Sequence, residues 1–211
     1  MVVATAFRQT VTSVAELREL LGEPSERAVK KELDHLDEHC LAFLKNAPFL
    51  LMGTSNARGQ CDVSPKGDAP GFVLALDDRT IAIPDRPGNN RIDGHINVLE
   101  NPHVGLLFMI PNVQETLRIN GRARIVRDEA LLQRLSAQGK TPLLALVVDV
   151  EQVFLHCPKA FIRSSLWDAT REAGERPIAS FARMLIDHAG LDGDEASVQA
   201  ALDERVKTTL Y

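Results

Sequence analysis

The segment spanning residues 115–126 constrains the fold more than any other stretch of this sequence. Leu117, Ile119, Ala123 and Ile125 fall on one side of a period-two alternation, and Arg118, Asn120, Arg122 and Arg124 on the other. That period belongs to a β-strand with one face on a core. Asn120-Gly121 is a tight-turn dipeptide, but the alternation runs through it. The segment therefore reads as one long strand with Gly121 at a bulge or close approach. A strand of this kind needs antiparallel neighbours, and the surrounding sequence supplies them. Apolar or alternating runs occur at 49–54, 61–64, 72–76, 80–83, 104–110 and 143–155. Turn strings separate several of them: SNARG, Pro65-Lys66-Gly67, Asp77-Asp78-Arg79 and Pro111-Asn112.

Helical patterns interrupt these strands singly. One covers 91–99, with Ile92, Ile96 and Leu99 on one face, and another covers 128–135, with Leu131, Leu132 and Leu135. Single helices among short strands do not build a repeating βαβ sheet. They fit an antiparallel barrel with attached helices. The first 46 residues look helical. Thr12 or Ser13 caps a short helix through Leu21, with Glu16 in a capping-box position, and Gly22 and Pro24 break it. Ser25 then opens a longer helix carrying Val29, Leu33, Leu36, Cys40 and Phe43 or Leu44. Helices return from Pro158, through 180–188 and 195–207. The expected organisation is a single domain over 1–211: a helical N-terminal extension (1–46), a barrel core (48–168) and C-terminal helices (169–211).

With 211 residues, 45% of them hydrophobic, the chain can bury a core without covalent staples. The net charge of −5 argues against a nucleic-acid partner, which normally meets a basic face. Cys40, Cys61 and Cys157 form no CxxC pair and read as reduced thiols. The opening MVVATAFRQT has no cationic region followed by an apolar stretch, and the apolar runs are too short to cross a bilayer. A cytoplasmic protein without a membrane partner is expected.

Several common motifs fail. No GxGxxG follows a strand, and no GxSxG is present. Gly139-Lys140-Thr141 looks like the end of a phosphate-binding P-loop, but Arg134 stands where the first glycine belongs and Pro142 forbids the following helix. His35 and His39 are four apart beside Asp34, Asp37 and Glu38, which reads as a solvated helix face. No metal site is expected.

Four clusters remain. In IPDRPGNNRIDGHINVLE (83–100) a strand ends, a loop carries Arg86, Asn90 and Arg91, and a helix begins. Unpaired N–H groups of a first helical turn, with arginine forks beside them, suit an anion. An ordinary strand–helix loop with Asn90 as N-cap reads equally well. CDVSPKG (61–67) presents Ser64 and Lys66 at a strand end, where a solvent turn is the plainer reading. The basic strand face of Arg118, Asn120, Arg122 and Arg124 either meets solvent or an anionic ligand. In HCPKAFIRSSLW (156–167), Lys159, Arg163 and Trp167 recur at spacings of four, giving a ring-binding edge or core packing of the tryptophan.

Together these stretches resemble the pyridoxamine-phosphate-oxidase-like flavin-binding split barrels, in the subgroup with a PDRPGN-R-DG-N–NP signature. PDRPGNNRIDGHINVLENPHVGLLFMIP is the most specific match, with LRINGRA and HCPKAFIRSSLW beside it. The resemblance covers residues 48–168 and implies a six-stranded antiparallel split β-barrel, dimeric, with FMN at the subunit interface. It implies that Asn90 and Arg91 bind the FMN phosphate, that Ser64 and Lys66 contact the flavin, and that Arg118 and Asn120 face it. Lys159, Arg163 and Trp167 would close the site from the partner subunit. True pyridoxamine phosphate oxidases carry a C-terminal Arg-x-His substrate element, and this chain ends RVKTTLY, so their substrate is not carried over. The expectation is an FMN-dependent oxidoreductase of unassigned substrate, with no general acid or base assigned. The alternatives are a flavin-holding protein without turnover, or a barrel that takes a deazaflavin or haem.

Overall fold

The computed structural model describes residues 7, 9–168, 176–190 and 193–211. Its contacts divide the chain into Met1–Glu32 and Leu33–Tyr211. The first unit holds α1 (Val14–Leu21) and α2 (Glu26–Lys30), neither with a buried residue. Ser13 Oγ accepts from the Glu16 N–H at 3.2 Å, and Glu16 Oε2 accepts from the Thr12 N–H at 3.1 Å. The capping box is thus shared by both candidate caps. The longer helix expected from Ser25 is not formed. Leu33 donates to the Val153 carbonyl at 3.0 Å and accepts from the Val153 N–H at 2.8 Å. Backbone groups engaged in a strand bridge cannot also carry a helical ladder.

A new helix, α3 (Glu38–Asn46), starts in the second unit, where Asp37 accepts from the Cys40 N–H at 2.8 Å. It buries Cys40, Phe43 and Leu44. The remaining elements in chain order are β1 (Phe49–Ser55), β2 (Cys61–Gly67), β3 (Leu74–Ala75), β4 (Thr80–Pro84), α4 (Asp93–Glu100), β5 (His103–Met109), β6 (Thr116–Val126), α5 (Glu129–Arg134), β7 (Ala145–His156), α6 (Lys159–Ser164), α7 (Phe181–Ala189) and α8 (Glu195–Thr209). Within the expected C-terminal region, 169–175 and 191–192 lie outside the described residues.

All strand pairs are antiparallel, in the order β2-β1-β5-β6-β7-β4-β3. The resemblance implies six strands; the sheet has seven, counting the two-residue β3 within the 72–76 run. The inner face forms one core, with Leu50, Met52, Ile81, Ile83, Leu106, Phe108, Leu117, Ile119, Leu146 and Val148 buried. Ala145 and Val147, on the other face of β7, pack with Leu132 and Leu135 in a smaller cluster.

The sheet is strongly curled. In the strand order β2 and β4 stand five places apart, which in a flat sheet is about 24 Å. Yet Lys66 Nζ at the end of β2 lies 3.2 Å from Asp85 Oδ1 just after β4. Arg86 Nε lies 2.6 Å from Asp68 Oδ2. These contacts require the sheet to close into an antiparallel barrel.

Long strands bend this far only with an irregularity, and β6 has one at Asn120/Gly121, where its register with β7 shifts. A Cβ on Gly121 would stand 2.0 Å from the Asp149 carbonyl oxygen, so no side chain fits there. Gly121→Ala should lower stability by about 1–3 kcal/mol, the cost of overpacking a tight site. Gly88→Ala, in open space, should change it by less than about 0.5 kcal/mol. Thermal unfolding of both variants checks this; equal midpoints would contradict the close approach.

Candidate functional site

A cavity of about 750 Å³ opens where β2 meets the segment after β4. Ser64–Lys66 form one wall, and the loop 85–92 with the first turn of α4 forms the other. Met52 and Phe72 supply apolar floor, while Lys140, Thr141 and Tyr211 complete the lining. The sequence places a strand end at Pro65-Lys66-Gly67, but β2 continues through it, pairing Pro65 with Leu51 and Gly67 with Phe49. Proline is tolerated because β2 is an edge strand paired only with β1. That extension carries Lys66 into the cavity wall.

Two charged clusters stand in or against this wall. In the first, Lys66 Nζ meets Asp85 Oδ1 at 3.2 Å, and His95 Nε2 lies 3.3 Å from the same oxygen. The His95 contact is poorly aligned, so this buried nitrogen has no hydrogen-bond partner. Burial pushes the Asp85 carboxyl upward, but His95 and Lys66 outweigh it and hold the group below the usual range. In the second, the Asp68 side chain, only 2% exposed, accepts from Arg86 Nε.

The loop is built differently from the expectation. Asn90 and Ile92 both adopt left-handed backbone, at φ 58° and 53°. Ile92, not Asn90, occupies the N-cap position of α4, without a side-chain cap bond. A β-branched residue is disfavoured there by about 1–2 kcal/mol. Asn89 Oδ1 accepts from the Arg91 N–H at 3.0 Å, bracing the turn. Arg91 is 72% exposed and pairs with Asp93 at 2.8 Å.

Asn97 fixes the position of α4. It is buried, and its Nδ2 donates to Thr54 Oγ1 at 3.0 Å and Asp62 Oδ2 at 2.8 Å. This turns Gly94, Asn97 and Val98 inward. Ile92, Ile96 and Leu99, grouped as one apolar face in the sequence, consequently point outward at 55%, 44% and 76% exposure. Gly94 lets the helix approach Met52, Thr54 and Ser64, where a Cβ would come within 3.4 Å of the Met52 side chain.

Of the residues marked in the sequence, Ser64, Lys66, Arg86, Asn90 and Arg91 line the cavity. Arg118, Asn120, Lys159, Arg163 and Trp167 do not line it. Arg118 and Asn120 lie on the β6 face opposite the buried Leu117 and Ile119. Arg118 Nε donates to Asn120 Oδ1 at 3.3 Å, and its guanidinium sits 5.2 Å from the Phe154 ring centroid. Asn120 also donates to Gln152. Lys159 and Arg163 are exposed on α6. The single face joining them to Trp167 is broken, because Ser165 adopts left-handed backbone at φ 50° and ends the helix. Trp167 donates to the Val113 carbonyl at 2.9 Å and stacks on Phe161. The cavity also recruits residues not marked beforehand: Asp85 and His95, inside the signature run, and the distant Lys140, Thr141 and Tyr211.

The sequence matches the pyridoxamine 5'-phosphate oxidase family over residues 36–157. The match covers more than half of the chain, and the protein belongs to that family. A comparison with curated proteins finds no match. Among solved structures, HupZ of Group A Streptococcus is 21% identical, with 56% of this chain and 92% of that chain covered and a TM-score of 0.46. An FMN-binding protein from Syntrophomonas wolfei is 12% identical, with 57% and 88% covered and a TM-score of 0.44. General Stress Protein 26 from Bacillus anthracis is 10% identical, with 54% and 88% covered and a TM-score of 0.43.

The Asp85 cluster has a pH signature. A carboxyl held below its unfolded value near 3.9 stabilises the fold above that value, and the contribution disappears as pH falls through the folded value. Asp85→Asn should therefore be less stable than wild type at pH 7, with the gap closing below about pH 4. Urea unfolding at both pH values checks this; a constant gap would contradict the assigned cluster.

Proposed function

We propose that this cavity binds FMN and that the protein works as a homodimeric, FMN-dependent oxidoreductase. The observation that carries the reading is the convergence of Arg86, Arg91 and the first turn of α4 on one side of a cavity that also has an apolar floor. Guanidinium groups and unpaired helical N–H groups suit a phosphate, and Met52 and Phe72 suit the flat face of a ring. The donor set fits the group: Ser64 and Lys66 offer hydrogen bonds along β2, and the buried His95 nitrogen, 3.3 Å from Asp85 without a hydrogen bond to it, lies in the same wall.

In this reading Arg86 and Arg91 bind the phosphate, and Arg91 exchanges part of its contact with Asp93 for it. Asn90 shapes the loop around that group. When bound, FMN supplies hydride or single-electron transfer at its ring. The protein's own residues orient it and exclude water. The substrate is left open.

The dimer reading rests on the apolar rim. Val63, Ile92 and Leu143 line the cavity while being 67%, 55% and 84% exposed, and Ile96 and Leu99 extend this outward apolar face along α4. Exposed apolar groups beside a polar site are the signature of a surface that meets another protein surface. Because Arg118, Asn120, Lys159, Arg163 and Trp167 lie away from the cavity of their own chain, in this reading they would act at a site completed by a second subunit.

FMN titration tests the binding reading, and Arg91→Ala should weaken the affinity by about 1–3 kcal/mol, the worth of a charge-assisted hydrogen bond. Unchanged affinity would move the phosphate elsewhere. Sedimentation should show a dimer; a monomer saturated with FMN would contradict an interface site. Bound flavin reduced by neither NADH nor NADPH, and oxidising no donor, would favour a flavin-holding protein.

A further inference from the structure

Tyr211 stands far from the signature in sequence, yet it lines the cavity. Its hydroxyl donates to Asp68 Oδ1 at 2.7 Å. The same carboxylate accepts from the Ala69 N–H at 2.7 Å and, through Oδ2, from Arg86 Nε at 2.6 Å. The Arg86 guanidinium carbon lies 5.7 Å from the centroid of the Tyr211 ring. The side chains of Arg86 and Asp68 are 16% and 2% exposed, so this ion pair is mostly withdrawn from water. Lys140 Nζ, at 3.4 Å from the Tyr211 carbonyl oxygen, is a further charged group beside the tyrosine.

A withdrawn ion pair is a costly way to hold two loops together, since apolar packing stabilises as well or better. What the arrangement achieves is direction. Asp68 takes the Nε edge of Arg86, and Tyr211 covers its face. The terminal nitrogens meet no acceptor among the described residues, and Arg86 lines the cavity. Rigid supporting contacts of this kind fix a binding group before its ligand arrives.

We propose that Tyr211 and Asp68 form a positioning pair that holds the Arg86 guanidinium toward the cavity, where it takes the phosphate of the bound ligand. The inference rests on the FMN reading of the cavity and adds to it a residue outside the signature. Tyr211 is a positioning residue, acting through Arg86.

FMN and riboflavin, which share a ring and differ by the phosphate, separate this role from a merely structural one. Tyr211→Phe keeps the ring on Arg86 and removes only the hydroxyl. It should weaken FMN binding by roughly three- to tenfold, the net worth of one hydrogen bond, while riboflavin affinity stays within about twofold. Tyr211→Ala should widen the difference. Equal weakening of both flavins, or no loss of FMN affinity in either variant, would overturn the proposal. Tyr211 is the single tyrosine of the chain, so phenolate absorbance reports it alone. Its hydrogen bond to Asp68, burial and the nearby negative charge raise its titration above the ordinary value. Asp68→Asn should return it toward about 10, and an unshifted phenol in both proteins would overturn the pair. Wild-type protein that binds neither flavin would overturn the FMN reading and the phosphate contact with it, while the phenol titration separately decides the pair.

Discussion

Two ion pairs, Lys66 with Asp85 and Arg86 with Asp68, join strand regions that the sheet order would set far apart. They lie where β2 meets the segment following β4, and the cavity opens at that junction. The same charges therefore serve closure and site. Mostly withdrawn from water, each cation needs its carboxylate, because a stranded charge would be costly. The core supplies the cohesion that lets the junction carry such groups. Leu50, Ile81, Phe108, Leu117 and Leu146, from five different strands, are fully buried against one another in a single cluster.

Curvature and position come from a few exacting residues. Gly121 admits the Asp149 carbonyl where no side chain could stand, and there β6 shifts register against β7. Asn97 turns a polar side of α4 inward by bonding to Thr54 and Asp62, which sets the helix start beside the cavity. The consequence is an outward apolar side on α4, the feature that the proposed dimer would cover. Much of the PDRPGN-R-DG-N–NP signature is thus structural. Gly94 and Asn97 dock the helix, and Asn101 donates to Ser55 at 2.9 Å. Arg86, Asn90 and Arg91, the signature residues marked for the ligand, line the cavity together with Asp85, Ile92 and His95 of the same run.

The alternation of β6 and its glycine were legible in the sequence because both are local. The longer helix expected from Ser25 was not, since an apolar pattern at helical spacing carries no sign that Leu33 pairs with Val153. The inward side of α4 is hidden from the sequence for a related reason. Apolar residues normally face the core, and the two hydrogen bonds of Asn97 that override this depend on Thr54 and Asp62, distant in sequence. The phosphate loop was visible as arginine and asparagine before a helix, but its left-handed Asn90 and Ile92 were not. Tyr211 gave no signal at all, because its role exists only through Asp68 and Arg86. Gly139-Lys140-Thr141 is no P-loop in the structure, since Lys140 and Thr141 reach the cavity from a turn that precedes β7, with no helix following them.

A crystal structure of the protein grown with FMN tests the central claim most directly. The account predicts the phosphate within hydrogen-bond distance of Arg86 and Arg91, with the ring along Ser64 and Lys66 of β2. Phosphate seated elsewhere, or a flavin bound outside the junction between β2 and the segment after β4, would contradict it.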